Sequence, residues 1–173
     1  MLFRSAGSGA DTIASIFALG NQIVSLRLNC VLLTGVSEQF TKFPNALPRL
    51  RYFGFRVLDH LGPKVSDPNL FPAVAEFLRS HAELEKLELD VAGESNQKAF
   101  GYDASVMGVL PSLARLRQLA VTVTKDASPG LFSWIIPRGL LALLLNGVPR
   151  RNCEQFMSVS PFLPPTPSLL SLI

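Results

Sequence analysis

Histidines, cysteines and glycine-rich stretches are the first places to look for catalytic or metal chemistry, and this chain has few of them. Its two histidines are His60 and His81. His81 closes a segment of helical periodicity, where a cationic ring suits the carbonyl end of a helix dipole. His60 follows Asp59 and is expected to pair with it at the surface. Cys30 and Cys153 have no second cysteine or histidine at metal-ligand spacing, which argues against a zinc site. A disulfide and two reduced thiols both remain open, with the reduced pair favoured for an intracellular protein. Ser5-Ala6-Gly7-Ser8-Gly9 is rich in glycine. No Lys-Ser/Thr follows it and no strand precedes it, so it reads as a flexible terminus and not a phosphate loop. No nucleophile stands in a G-x-S-x-G setting. The expectation is a protein without catalytic residues, cofactor or metal, and not an enzyme.

What the sequence offers instead is recognition chemistry, set between regularly spaced leucines. In Leu84-Glu85-Lys86-Leu87-Glu88-Leu89-Asp90, apolar residues fill positions one, four and six, and the last two alternate with charge as in a half-buried strand. The pattern returns from Ile23, Leu50, Leu116 and Leu140, and a sixth copy is read from Leu169, cut off at Ile173 before its third leucine slot. One such copy would arise by chance in a leucine-rich chain, whereas five full copies would not. Residues between and after the leucine slots face away from them. The candidate partner-binding surface is therefore Arg27 and Asn29; Tyr52 and Arg56; Lys86, Glu88 and Asp90; Gln118 and Thr122; and Asn146. Gly54, Ala120, Ala142 and Leu144 share that face, which runs basic, then mixed acidic, then neutral, then apolar. Arg27, Tyr52 and Arg56 are the candidate anchors, since Tyr and Arg are enriched in binding hot spots.

The elements that would position this face are helices between the strands. Asp11 is placed to cap a helix with Ile13, Ile16 and Phe17 inward, ended by Gly20. Ser37 is placed to cap a second with Phe40 and Phe43. Asp67-Pro68 starts a third, with Leu70, Val74, Phe77 and Leu78 on one face. Asp103 caps a fourth bearing Val106, Val109 and Leu110. Ser128-Pro129 begins a fifth with Leu131, Phe132, Ile135 and Ile136, which also carries Trp134 and is stopped by Pro137, and one or two helical turns follow Asn152. Residues 91–102 read as a loop. Copies 24 to 34 residues apart, each a strand plus a helix, match leucine-rich repeats of about 20–29 residues with loops inserted in the longer units. The predicted fold is α/β: a leucine-rich-repeat solenoid with a parallel curved sheet and one short helix per repeat on the convex side. Residues 1–10 form a flexible N-terminus, and 11–173 the repeat domain of about five full repeats and an incomplete sixth.

Composition supports a packed protein. Hydrophobic residues make up 48% of the 173 and charged ones only 17%, which excludes intrinsic disorder. A net charge of +3 is too small for a nucleic-acid surface. The most apolar run, 131–148, is cut by Pro137-Arg138-Gly139 into halves too short to cross a bilayer, and the start lacks a secretory signal. The expected setting is intracellular, cytoplasmic or nuclear, with no membrane and no nucleic-acid partner.

Phe77-Leu78-Arg79-Ser80-His81-Ala82-Glu83-Leu84-Glu85-Lys86-Leu87-Glu88-Leu89, together with Ala46-Leu47-Pro48-Arg49-Leu50 and Val109-Leu110-Pro111-Ser112-Leu113, resembles the repeat region of a large fungal family. Its members are F-box-type proteins with ribonuclease-inhibitor-like arrays, and the resemblance spans roughly residues 11–173. It implies a substrate-recognition array on the concave strand face, without catalytic residues. A ubiquitin-ligase adaptor would be a partner only through an F-box outside these 173 residues. The alternative is an incomplete repeat remnant with a structural role and no binding function.

Overall fold

The repeated apolar alternation produces a single parallel sheet. The computed structural model describes residues 9–30, 35–58, 67, 69–92, 104–122, 137, 139–146 and 170–171. Its strands are β1 (Ser25–Cys30), β2 (Tyr52–Leu58), β3 (Lys86–Ala92), β4 (Gln118–Thr122), β5 (Ala142–Asn146) and the short β6 (Leu170–Ser171). They lie side by side in sequence order. The copies stack in phase: Leu26 is opposite Phe53, then Leu87, Leu119 and Leu143. Leu28, Phe55, Leu89 and Val121 form the neighbouring inward row. All of these side chains are buried. The sixth copy departs from the expected phase, because Leu143 pairs with Leu170. Leu170 thus holds the fourth position, and that copy starts at residue 167 instead of 169.

One backbone device precedes each of the first five strands. The amide of the position-one residue bonds the carbonyl three residues back: Ile23 to Gly20, Leu50 to Leu47, Leu84 to His81, Leu116 to Leu113 and Leu140 to Pro137, at 3.0–3.3 Å. One residue on, a single carbonyl serves two amides of the following copy. Val24 O accepts from Arg51 and Tyr52, Arg51 O from Glu85 and Lys86, Glu85 O from Arg117 and Gln118, and Arg117 O from Leu141 and Ala142, all at 2.8–3.1 Å. These eight bonds pin each strand start to its predecessor. A slip by one residue would break them and turn the leucines outward.

Among the described residues, four helices form the second layer over the leucine face: α1 (Gly9–Ala18), α2 (Val36–Lys42), α3 (Leu70–Arg79) and α4 (Ala104–Val109). Each packs against the next. Phe17, Phe40, Phe53, Phe55 and Phe77 interlock between helices and sheet with ring centroids 5.0–6.2 Å apart. Several helix starts differ from expectation. α1 begins at Gly9, so residues 9 and 10 are helical and Asp11 lies inside the first turn. Ser37 likewise lies within the first turn of α2. Asp67 does not adjoin α3 but ties two helix starts together. Its carboxylate accepts from the backbone amides of Ser37 and Asn69, both at 3.1 Å, satisfying orphan donors at two N-termini. Gly20 does not end α1 but opens a 3₁₀ turn, Gly20–Gln22. A Cβ there would fall 1.8 Å from the Ala46 carbonyl oxygen, so only glycine lets the two copies approach. β3 runs on through Ala92, two residues into the predicted loop. The remainder of that loop, His60, Cys153, Trp134 with its helix and the helical turns after Asn152 lie outside the described residues.

The turn residues Gly20, Leu47, His81, Leu113 and Pro137 occupy equivalent places, and all are buried. His81 is the polar exception, only 4% exposed. Its Nδ1 lies 2.6 Å from the Phe77 carbonyl oxygen; since a carbonyl can only accept, Nδ1 carries the proton. Burial, the largest effect, holds the ring pKa below the ordinary histidine value, and the Phe77 and Leu47 carbonyls offset it only in part. The ring is therefore neutral near pH 7 and not the cation expected at a helix end. A depressed histidine pKa means that the unfolded chain binds the proton more readily. Stability should be full above about 6.5, the ordinary value, and fall as the pH drops from there toward the lowered folded value. Urea denaturation at pH 8 and pH 5.5 should show this loss in the native chain and a clearly smaller one in His81→Leu. Equal losses would contradict a buried neutral ring.

Candidate functional site

In-phase parallel pairing converts three sequence positions into three rows across the face opposite the helices. Ser25, Tyr52, Lys86, Gln118 and Ala142 form one row. Arg27, Gly54, Glu88, Ala120 and Leu144 form the second, and Asn29, Arg56 and Asp90 continue into Thr122 and Asn146 as the third. Adjacent strands lie about 4.8 Å apart, so charges in one row can meet across one or two strands.

Glu88 is the hub of this face. The Tyr52 hydroxyl donates to its Oε2 at 2.7 Å, Lys86 Nζ lies 2.9 Å from Oε1, and Arg27 Nη2 lies 3.3 Å from Oε2. The Lys86 ammonium also sits 5.0 Å from the Tyr52 ring centroid, a cation–π contact. Arg27 is two strands from Glu88 and reaches it across Gly54. A Cβ at Gly54 would come within 2.8 Å of Tyr52 Oη and 3.0 Å of Arg27 Cγ. The missing side chain is what allows both groups to lie over β2. Beside this hub, Arg56 Nε meets Asp90 at 2.9 Å, and the Thr122 hydroxyl donates to the other oxygen of Asp90.

The electrostatics follow from this geometry. Burial alone would raise the Glu88 carboxyl pKa. Hydrogen bonds from Lys86 and Tyr52, and the charges of Lys86 and Arg27, outweigh burial and hold it below the ordinary carboxylate value. Tyr52 moves the other way, to about 12, through burial first and then its hydrogen bond to Glu88 and the charge of that carboxylate; Arg27 opposes the rise. Between these groups lies a cleft of about 170 Å³, bounded by Arg27, Arg56, Glu88, Asp90, Ala120 and Leu144.

The sequence-derived surface is thus largely brought together. Arg27, Tyr52, Arg56, Lys86, Glu88 and Asp90 form two linked clusters, Gln118 is exposed on the first row, and Asn29 is exposed on the edge strand. Asn146 is placed by its backbone, opposite Thr122. Thr122 itself is a correction: it is 8% exposed, held against Asp90, and unavailable as a contact residue. The expected change of sign at β3 also gives way to local neutralisation, because each β3 acid meets a base from β1 or β2. Gly54, Ala120 and Leu144 were absent from the predicted contact set, yet they border this space. The available signal was the run of small residues in the central row, which becomes a floor only once the register is known.

Removing the Tyr52 hydroxyl tests the hub. In Tyr52→Phe, Glu88 loses a donor, and its NMR-monitored pKa should rise toward the ordinary carboxylate value. A phenol pKa raised in the folded state adds stability that is complete below about pH 10, the ordinary value, and lost as pH rises through 12. A carboxyl pKa lowered in the folded state adds stability above the ordinary value that is lost as pH falls through the folded one. Tyr52→Phe should weaken the second dependence and abolish the first. An unchanged Glu88 titration would contradict the hydrogen bond.

Among the described residues, no group of three His, Cys, Asp or Glu side chains is placed to hold a metal, and no helix is long and apolar enough to cross a membrane. Comparison of the chain with protein-family models, characterised proteins and solved structures gave no match.

Proposed function

We propose that the chain is a leucine-rich-repeat solenoid whose concave strand face holds a protein partner, as the substrate-recognition array of an F-box-type ubiquitin-ligase receptor does. The repeated strand-start hydrogen bonds support the repeat assignment, since unrelated βα units would not reproduce one donor pattern four times. The observation that carries the binding assignment is the strand-face cleft, flanked by two half-exposed arginines and ending at Leu144. Charged forks beside a partly apolar floor provide orientation and contact area together. An adaptor joins this arrangement only through an F-box outside the 173 residues.

The competing role is a structural array that binds nothing, favoured by the mutual pairing of Glu88 and Asp90 with their basic neighbours. Affinity capture from the native cell separates the two. The Arg27→Ala/Arg56→Ala chain should lose captured proteins by at least tenfold, while Arg79→Ala on α3 retains them. Both variants should keep the native circular dichroism, because exposed ion pairs contribute about 0–1 kcal/mol. Equal capture by all three chains would contradict a strand-face site.

A further inference from the structure

The composition and spacing of the cleft restrict what can occupy it. Two cationic side chains, Arg27 and Arg56, line the cleft with two anionic ones, Glu88 and Asp90, and Lys86, paired with Glu88 beside the cleft, makes the surrounding cluster net positive. Exposure sharpens the difference. The side chains of Arg27 and Arg56 are 47% and 44% exposed, while those of Glu88 and Asp90 are 22% and 29% exposed. An approaching partner therefore meets guanidinium before carboxylate. The acids are already well supplied, with Glu88 meeting donors from Tyr52, Lys86 and Arg27, and Asp90 meeting Arg56 and Thr122. The contacts of the arginines with these acids run through Nη2 of Arg27 and Nε of Arg56, whereas each guanidinium carries five N–H donors in a planar fork. A further carboxylate can dock on either fork without displacing the existing pairs.

The opposite end of the cleft has a different character. Ala120 and Leu144 continue the central row on β4 and β5, and both line the cleft. They supply apolar surface and no charge. Leu144 stands on β5, two strands from β3, and both guanidiniums lie toward β3, Arg56 against Asp90 and Arg27 across Gly54 against Glu88. At about 4.8 Å per strand, the two to three strands between these guanidiniums and Leu144 span roughly 10–14 Å, which an extended peptide advancing about 3.3 Å per residue covers in about three to four residues.

Building on the concave-face assignment, we propose that the occupant is an extended peptide segment crossing the strands. It carries Asp or Glu side chains about three to four residues from an aliphatic side chain. The carboxylates dock on Arg56 and Arg27, and the aliphatic group rests on Ala120 and Leu144. Carboxylate fits better than a doubly charged phosphate, since Glu88 and Asp90 lie within the same cleft and repel the second charge.

Fluorescence anisotropy on the full 173-residue chain tests this with defined probes. The first probe is a fluorescein-labelled Gly/Ser decapeptide bearing Asp-Glu, with Leu three residues after the Glu, made in both chain directions. The others replace Asp-Glu by Lys-Lys, replace Leu by Ser, or move Leu next to the Glu. The first probe, in one direction, should bind at least tenfold more tightly than the other three, and its affinity should fall steeply with added salt. Arg56→Gln should weaken it at least tenfold, and Leu144→Ala should weaken the Leu probe but not the Ser probe. The salt dependence and the probe ranking on the native chain decide the matter even if a variant fails to fold. Tighter binding of the Lys-Lys probe, equal binding of the displaced-Leu probe, or no Arg56-dependent binding of the first probe would overturn the proposal. Selection from a random peptide library separates this failure from that of the concave-face assignment. Peptides that depend on Arg56 or Leu144 but lack acids would overturn the acidic occupant alone. Peptides indifferent to every strand-face substitution would overturn both.

Discussion

Everything on the strand face depends on one shared acceptor between each pair of successive strand starts from β1 to β5. The carbonyls of Val24, Arg51, Glu85 and Arg117 each receive two amides from the next copy. Parallel strands joined through helices have no tight hairpin to set their register, so something else must hold it. Here the turn before each strand and the bifurcated acceptor do so together. Once they fix the phase, the leucine rows face the helices and the polar positions align into rows. Without that alignment Arg27 would not meet Glu88 two strands away, and no cleft would form between Arg56 and Leu144.

Side-chain size at two glycines then determines how closely copies approach. Gly20 lets the first turn abut the Ala46 carbonyl, and Gly54 lets Tyr52 and Arg27 lie flat over β2. The first is a matter of backbone packing in the core, while the second shapes the open face. Glu88 is consequently a junction between three strands and not an isolated surface charge. Ion pairs at this exposure stabilise the fold only modestly. Their larger effect is to hold the guanidinium forks in place, which would lower the ordering cost of meeting the partner proposed for this face.

Much of the architecture was legible because the leucine alternation reports local geometry. Leu87, Leu89 and their equivalents were placed inward by period alone, and their burial follows the pattern. What period cannot report is interaction between copies. The pairing of Arg56 with Asp90 and the burial of Thr122 need the register as well as the face. The role of Asp67 was half legible: its type and position announced a helix start, but its carboxylate also reaches Ser37, thirty residues earlier. His81 was placed correctly at a helix end, but its charge state depends on depth, which a one-dimensional pattern does not encode. The sixth copy slipped by two residues because Leu169, Leu170 and Leu172 offer two phases to the same motif.

The phase of the stack is the claim on which the rest depends, and engineered disulfides measure it directly. With both native cysteines replaced by alanine, Lys86→Cys and Gln118→Cys would lie directly opposite each other on β3 and β4, about 4.8 Å apart between Cα atoms and within disulfide reach. Glu88→Cys with Gln118→Cys, a two-residue slip, would lie about 8 Å apart, beyond that reach. Rapid oxidation of the first pair and resistance of the second is the predicted result. Efficient cross-linking of the second pair, with the first resistant, would contradict the in-phase stack and the face built on it.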